Sequence, residues 1–219
     1  MVSVITCTYN DAHYLARLLP TIAADPTPKE IIVVDDGSTV AIPDHVHKLM
    51  NELGVRYIRH DENEGLSAAR NTGIAAAKSD LVFVIDADDV LLQSGLAKLV
   101  RAVDDDHDIF YGNIMCAGAV SKPVPRPWTK ATWQERNPLF CSSLFRKSVW
   151  ERVGGYLVRK GPHYEDYRFW CTAWVMMIPF KYVDELVYDH TEREDSMLRV
   201  LHPNRDFYHA LAIEPLGEL

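Results

Sequence analysis

Val2-Ser3-Val4-Ile5-Thr6 opens the chain as a β-branched, largely apolar run, which predicts a buried strand. Tyr14, Leu15, Leu18, Leu19 and Ile22 then recur at helical spacing, with Asn10 or Asp11 placed to cap that helix and Pro26 and Pro28 to close it. A second strand follows at Ile31-Ile32-Val33-Val34, and Asp35-Asp36-Gly37-Ser38 breaks it with turn chemistry. A polar helix over 43–53, a strand at 55–58, a helix over 66–78 and a strand at 81–85 complete the rhythm. Strand and helix in strict alternation predict a parallel sheet covered on both faces, with ligands at the carboxyl ends of its strands. Thr8-Tyr9-Asn10, Asp35-Asp36 and Asp86-Ala87-Asp88-Asp89 all fall at such ends.

Beyond residue 101 the rhythm breaks. Asp104-Asp105-Asp106-His107-Asp108 reads as a solvated loop after the helix of Leu96, Leu99, Val100 and Val103. A short strand at 109–111, a proline-bearing stretch over 122–138 and a helix over 147–153 follow. All five tryptophans (Trp128, Trp133, Trp150, Trp170 and Trp174) lie in this half, which suits a lobe that packs on the sheet and shapes an acceptor pocket. The break divides the chain into 1–100 and 101–219 within one compact domain.

Composition narrows the partners. A net charge of -8 opposes a bulk electrostatic grip on nucleic acid or an anionic membrane. Lys122, Arg126, Lys130 and Arg136 interleave with Trp128 and Trp133, a pattern able to track a single strand, but the overall charge opposes a nucleic-acid partner. Four separated cysteines without metal-ligand spacing read as reduced thiols in a cytoplasmic protein. No charged n-region precedes the first apolar run, and no apolar stretch reaches the roughly 18 residues of a membrane span.

Asp86-Ala87-Asp88-Asp89 ends an apolar strand, where carboxylates are costly unless a positive group neutralises them. Oxygen ligands select magnesium or manganese, and magnesium commonly shares its shell with substrate phosphates. The chain has neither a P-loop nor a dinucleotide fingerprint, and it lacks the Thr that follows DxD in dehalogenase-type phosphatases.

The segments Val4-Ile5-Thr6-Cys7-Thr8-Tyr9-Asn10, Ile32-Val33-Val34-Asp35-Asp36-Gly37-Ser38-Thr39, Gly65 to Gly73 and Val84-Ile85-Asp86-Ala87-Asp88-Asp89 resemble the successive signatures of family-2 glycosyltransferases. Val153-Gly154-Gly155-Tyr156 and Glu165-Asp166 resemble the family's later "vGGf" and "ED" segments. The resemblance implies a GT-A fold, a Rossmann-like and mostly parallel mixed sheet flanked by helices, with an acceptor-side C-terminal lobe. It also implies inverting, metal-dependent transfer from a nucleotide-sugar.

On that resemblance Thr8 and Tyr9 pack the nucleobase and Asp35 meets the uracil edge, while Asp36 either assists or caps the turn. Arg70 approaches the nucleotide; Asp86, with Ala87 beside it, approaches the ribose or donor sugar. Asp88 holds Mn2+ or Mg2+, and Asp89 reads as a helix N-cap. Asp166 is the implied general base and Glu165 its fallback. His190 either reaches the metal or is an unrelated surface histidine, since Asp189 departs from the family pattern. Arg193 and Arg199 are candidates for a diphosphate clamp. The donor is expected to be a UDP-sugar. Two rivals stand beside this reading: a phosphatase using Asp86 as nucleophile, and a nucleotide-sugar-binding protein with degenerate catalysis.

Overall fold

A computed structural model describes residues 1–116, 118–124, 127–159, 163–191 and 205–218. The expectations placed on Arg126, Arg193 and Arg199 lie outside the described residues.

The predicted alternation is present. β1 (Val2–Thr8), α1 (Leu15–Ala24), β2 (Lys29–Asp35), α2 (Asp44–Glu52), β3 (Arg56–Arg59), α3 (Leu66–Ala76) and β4 (Leu81–Val84) follow in order. β1 pairs in parallel with both β2 and β4, and β2 with β3. Alternation along each strand divides the core. Ile5, Ile32, Val34, Val82 and Val84 join one buried cluster, whereas Val4, Ile31, Val33, Phe83 and Ile85 join the other. Successive side chains point to opposite faces, so a run that is apolar throughout has a core on each side.

The second half inserts antiparallel strands. β5 (Val90–Leu91), α4 (Gly95–Arg101), β6 (Ile109–Cys116), β7 (Ala119–Ser121), α5 (Lys130–Glu135), β8 (Leu144–Arg146), α6 (Lys147–Val153), α7 (Glu165–Val175), β9 (Phe180–His190) and α8 (Arg205–Ile213) complete the described elements. The sheet order is β3-β2-β1-β4-β8-β6-β9-β5, with β7 on β6. β8 runs antiparallel to β4 and β6, while β6 and β9 are parallel. β6 continues past the expected end at Tyr111 because Gly112 admits a close crossing. A Cβ there would lie 2.7 Å from the Glu185 carbonyl, and the β6–β9 register shifts at this point.

Several local expectations are corrected. Neither Asn10 nor Asp11 caps α1. Asn10 adopts φ 60°, and its carboxamide oxygen accepts from Thr39 and Val40 N–H groups, knitting the β1 and β2 ends together. Asp11 turns back to accept from the Thr8 hydroxyl and the Tyr9 N–H. The acidic run after α4 is anchored as well as solvated, since Asp104 Oδ2 lies 2.7 Å from Lys181 Nζ. Trp128, Trp133 and Trp170 are buried core. Trp128 packs edge-on to Trp133 and Phe180, so these rings are spent in packing; neither Trp128 nor Trp133 offers a stacking face for a nucleic-acid base.

Candidate active site

At the carboxyl ends of β1 and β2 lies a cavity of about 380 Å³ whose lining includes Thr8, Tyr9, Asp11, Asp36, Asn63 and Glu165. Tyr9 is 44% exposed, so its ring is a cavity wall and not a core aromatic. Thr8 is buried, and its hydroxyl donates to Asp11 Oδ1 over 2.7 Å.

The adjacent carboxylates Asp35 and Asp36 face different partners. Asp35 is fully buried and away from the cavity lining. Its Oδ1 accepts from Ser38 N–H, and its Oδ2 from the Tyr57 hydroxyl and the Arg59 guanidinium. Burial alone would raise its pKa, but the bonds from Ser38 and Tyr57, with the Arg59 charge, hold it below the ordinary value. Both Asp35 oxygens are thus engaged inside the fold, by Ser38, Tyr57 and Arg59. Asp36 does line the cavity, and it organises the loop opposite. Oδ1 accepts from Glu64 N–H and meets His60 Nδ1 at 2.8 Å, while Oδ2 accepts from Gly65 N–H.

Arg70 is no surface arginine. It is 2% exposed, with one guanidinium nitrogen 2.6 Å from Asp86 Oδ1 and the other 2.6 Å from Glu165 Oε1. Burial disfavours its charge, but these two carboxylates outweigh that and raise its pKa well above normal. Asp86 is correspondingly held low: burial pushes it up, and Arg70 more than reverses this. The second Asp86 oxygen accepts from the Cys141 thiol, whose pKa burial and the nearby carboxylates drive far upward.

Asp89 caps no helix. It is wholly buried, and its Oδ1 accepts from Thr191 N–H and lies 3.0 Å from His190 Nδ1. Its Oδ2 is buried with no partner among the described residues. Burial raises its pKa to about 6. The bond to Asp89 in turn raises His190 to about 9, against its partial burial. Ligand atoms of Asp86, Asp89 and Cys141 lie within 4.8 Å of one another. Two carboxylates, one with an unsatisfied buried oxygen, fit a hard divalent cation, and a carboxylate-oriented histidine is a common ligand arrangement. Asp88 and His190 lie beside that group and not within it. Asp88 is half-buried, with its carbonyl held by Arg17, and Ala87 is buried between the two acids.

Glu165 and Asp166 open α7. Glu165 is buried against Arg70, while Asp166 is half-buried and accepts from Asn137 Nδ2 at 3.1 Å. Burial and the neighbouring Glu165 charge push Asp166 up to about 7, with Arg70 pulling the other way.

Asn63, Arg159 and His163 line the cavity, and Asn137 and Cys141 bond Asp166 and Asp86, yet sequence spacing singled out none of them. Their only signal is contact across 29 to 55 positions of chain for the latter two, which no local pattern carries. Asn71 is different, because it stands within the Gly65–Gly73 signature. It accepts from Tyr156 N–H and Trp150 Nε1 and donates to the Tyr156 carbonyl, fixing the turn in which Gly154 and Gly155 adopt φ 85° and 81°.

The sequence profile of "Glycosyl transferase family 2" matches residues 3–167. The chain is 31% identical over 138 residues to the poly(ribitol-phosphate) beta-N-acetylglucosaminyltransferase TarS of Staphylococcus aureus, covering 61% of this chain and 24% of that protein. It is 34% identical over 114 residues to the succinoglycan biosynthesis protein ExoU of Rhizobium meliloti, covering 52% of this chain and 33% of ExoU. It thus spans a third or less of these relatives' own lengths. TarS residues 1–349 in complex with UDP-GlcNAc superpose with TM-score 0.72 at 23% identity, over 90% of this chain and 60% of that one. The mannosyltransferase PcManGT of Pyrobaculum calidifontis, in complex with GDP-Man and Mn2+, gives 0.73 at 21% identity, over 97% and 64%. With the curled mixed sheet and the carboxylates gathered at its strand ends, these matches lead to one statement of kinship: the chain belongs to glycosyltransferase family 2 and has the GT-A fold.

Proposed function

We propose that this chain transfers a sugar, with inversion, from a nucleoside-diphosphate sugar to an acceptor hydroxyl, and that the nucleotide is UDP. The observation that carries the reading is the half-buried Asp166 next to Glu165, whose Arg70 partner also grips Asp86; burial and the Glu165 charge push the Asp166 carboxyl up to about 7. Asp166 accepts the acceptor's proton as its oxygen attacks the anomeric carbon, and the bond from that carbon to the diphosphate breaks on the opposite face. Tyr9, Thr8 and Asp36 border the space for the nucleoside. Asp88 and His190, beside the Asp86 and Asp89 carboxylates, would hold the cation. A bound Mn2+ or Mg2+ supplies Lewis-acid stabilisation of the departing diphosphate. Residues 1–100 bind the donor and 101–219 present acceptor and base, the acceptor being a glycan or small molecule. Asp86 is a poor nucleophile for a phosphatase, because Arg70 and Cys141 engage both its oxygens. Thermal-shift measurement with UDP, GDP, UDP-GlcNAc and GDP-mannose, with and without Mn2+, tests the reading. UDP ligands at a hundred times their dissociation constant should add about 2.7 kcal/mol. Failure of every nucleotide to stabilise the protein would sink it.

A further inference from the structure

Two carboxylates open α7, and chemistry needs only one of them as a base. Their surroundings differ. Glu165 Oε1 receives a charge-assisted bond from Arg70, and the same guanidinium grips Asp86 at the end of β4. This strut joins three segments distant in sequence: α3, the carboxylate turn and the first turn of α7. Tyr164, at the N-cap of α7, makes no side-chain cap bond to that turn. Releasing Glu165 to take a proton would leave a buried guanidinium short of a partner, which is strongly unfavourable. Asp166 instead accepts a side-chain bond from the neutral amide of Asn137, which a substrate hydroxyl can replace.

Resting on the glycosyltransferase reading, we propose that Glu165 is the positioning residue of the acidic pair: gripped by Arg70 together with Asp86, it locks the entry of α7 against the donor-side carboxylates and leaves proton acceptance to Asp166. The charged and titratable groups around Asp166 include Glu165 and Tyr167 on its own helix, Arg70 from α3, Asp86 from the turn after β4, Cys141 before β8 and Tyr156 after α6. Removing the Glu165 charge takes away a repulsion and frees Arg70 to act on Asp166. Both changes favour the ionised carboxylate.

The test is a carbon-13 titration of aspartate carboxyls in the full chain without ligand, with Asp166 identified by its loss in Asp166→Asn. Glu165→Gln should lower the Asp166 midpoint by about one pH unit or more, and Arg70→Gln should raise it. Glu165→Asp, which keeps the charge, should stay close to wild type. A second arm follows UDP release from UDP-GlcNAc and Mn2+ with water as acceptor. Glu165→Gln should lose about tenfold in kcat at unchanged donor KM, with the ascending limb of its pH profile displaced downward, whereas Asp166→Asn should lose about 10²–10⁴-fold. An unmoved Asp166 midpoint in Glu165→Gln overturns the strut. Full turnover in Asp166→Asn with none in Glu165→Gln makes Glu165 the base and also overturns it. Absence of UDP release from the wild type counts against the proposed function, while the titration still decides the strut.

Discussion

His190 Nδ1 lies 3.0 Å from Asp89 Oδ1, tying the end of β9 to the carboxylate turn that follows β4. The contact spans 101 positions of sequence and orients the imidazole toward a role beside a cation. With the His190 pKa raised to about 9, the ring holds a proton at neutral pH that an incoming metal must displace. Calorimetry of UDP with Mn2+ should therefore show affinity rising between pH 6 and 9, and chelation should abolish it. Equal UDP affinity with Mn2+ and with chelator would remove the metal from the site.

Asp166→Asn should separate binding from chemistry. Turnover is expected to fall about 10²–10⁴-fold with donor affinity nearly unchanged. Asp88→Asn should weaken metal-dependent donor binding as well. Transfer rate at saturating donor, paired with calorimetric affinity for both variants, distinguishes the two outcomes.

Asp166, Asp89 and His190 all retain protons in the folded chain at pH values where the unfolded groups have released them. Folding then binds protons, so the stability from these groups is complete at the acid end and is lost as pH rises through about 6, 7 and 9. Urea midpoints should decline from pH 5 to pH 9, and Asp166→Asn should flatten the part of that decline below about pH 7. The activity limb runs the opposite way, rising through about pH 7 as the Asp166 base ionises.

Asp35→Ala should act on the fold before the ligand. It strands the buried Ser38 N–H and Tyr57 hydroxyl, at a cost of about 1–3 kcal/mol in urea unfolding. Tyr57→Phe, which removes one of these bonds, should cost less. Unchanged stability with lost UDP binding would instead return Asp35 to the base pocket.

Gly73→Ala should destabilise the N-terminal half. An added Cβ would sit 2.5 Å from Ile5 Cγ2, forcing α3 off β1 at about 1–3 kcal/mol. A melting temperature within a degree of wild type would mean that the helix can shift without strain.

The alternating half was legible because its strands are β-branched runs and its helices carry a clear apolar face, signals held within a few residues. The clustering of Asp86, Asp88 and Asp89 at a strand end was legible for the same reason. Their division of labour was not. Asp35 and Asp36 are neighbours in the chain, but the two-residue period of a strand sends them to different surroundings, and only Tyr57 and Arg59 from β3 reveal which is spent. Asp89 resembled a helix cap until β9 brought His190 and Thr191 to it. The different surroundings of Glu165 and Asp166 depend on Arg70, 95 positions away from Glu165, and nothing local separates an acid held by a guanidinium from one held by an amide.

The sheet order also sets a length. β4 and β5 are separated along the sheet by β8, β6 and β9, yet the chain between Val84 and Val90 has few residues to span them. Four strand spacings laid flat amount to about 19 Å. Six Cα steps reach at most about 21 Å fully extended. The Asp86–Asp89 stretch is not extended, because Asp89 N–H bonds back to the Asp86 carbonyl. The acidic turn therefore works as a bowstring: its shortness draws the two sides of the sheet into a curl, and that same curl carries His190 over the carboxylates. Adding residues between Ile85 and Val90 would slacken the string, opening the corner of Asp86, Asp89 and His190 without removing a single side chain from it.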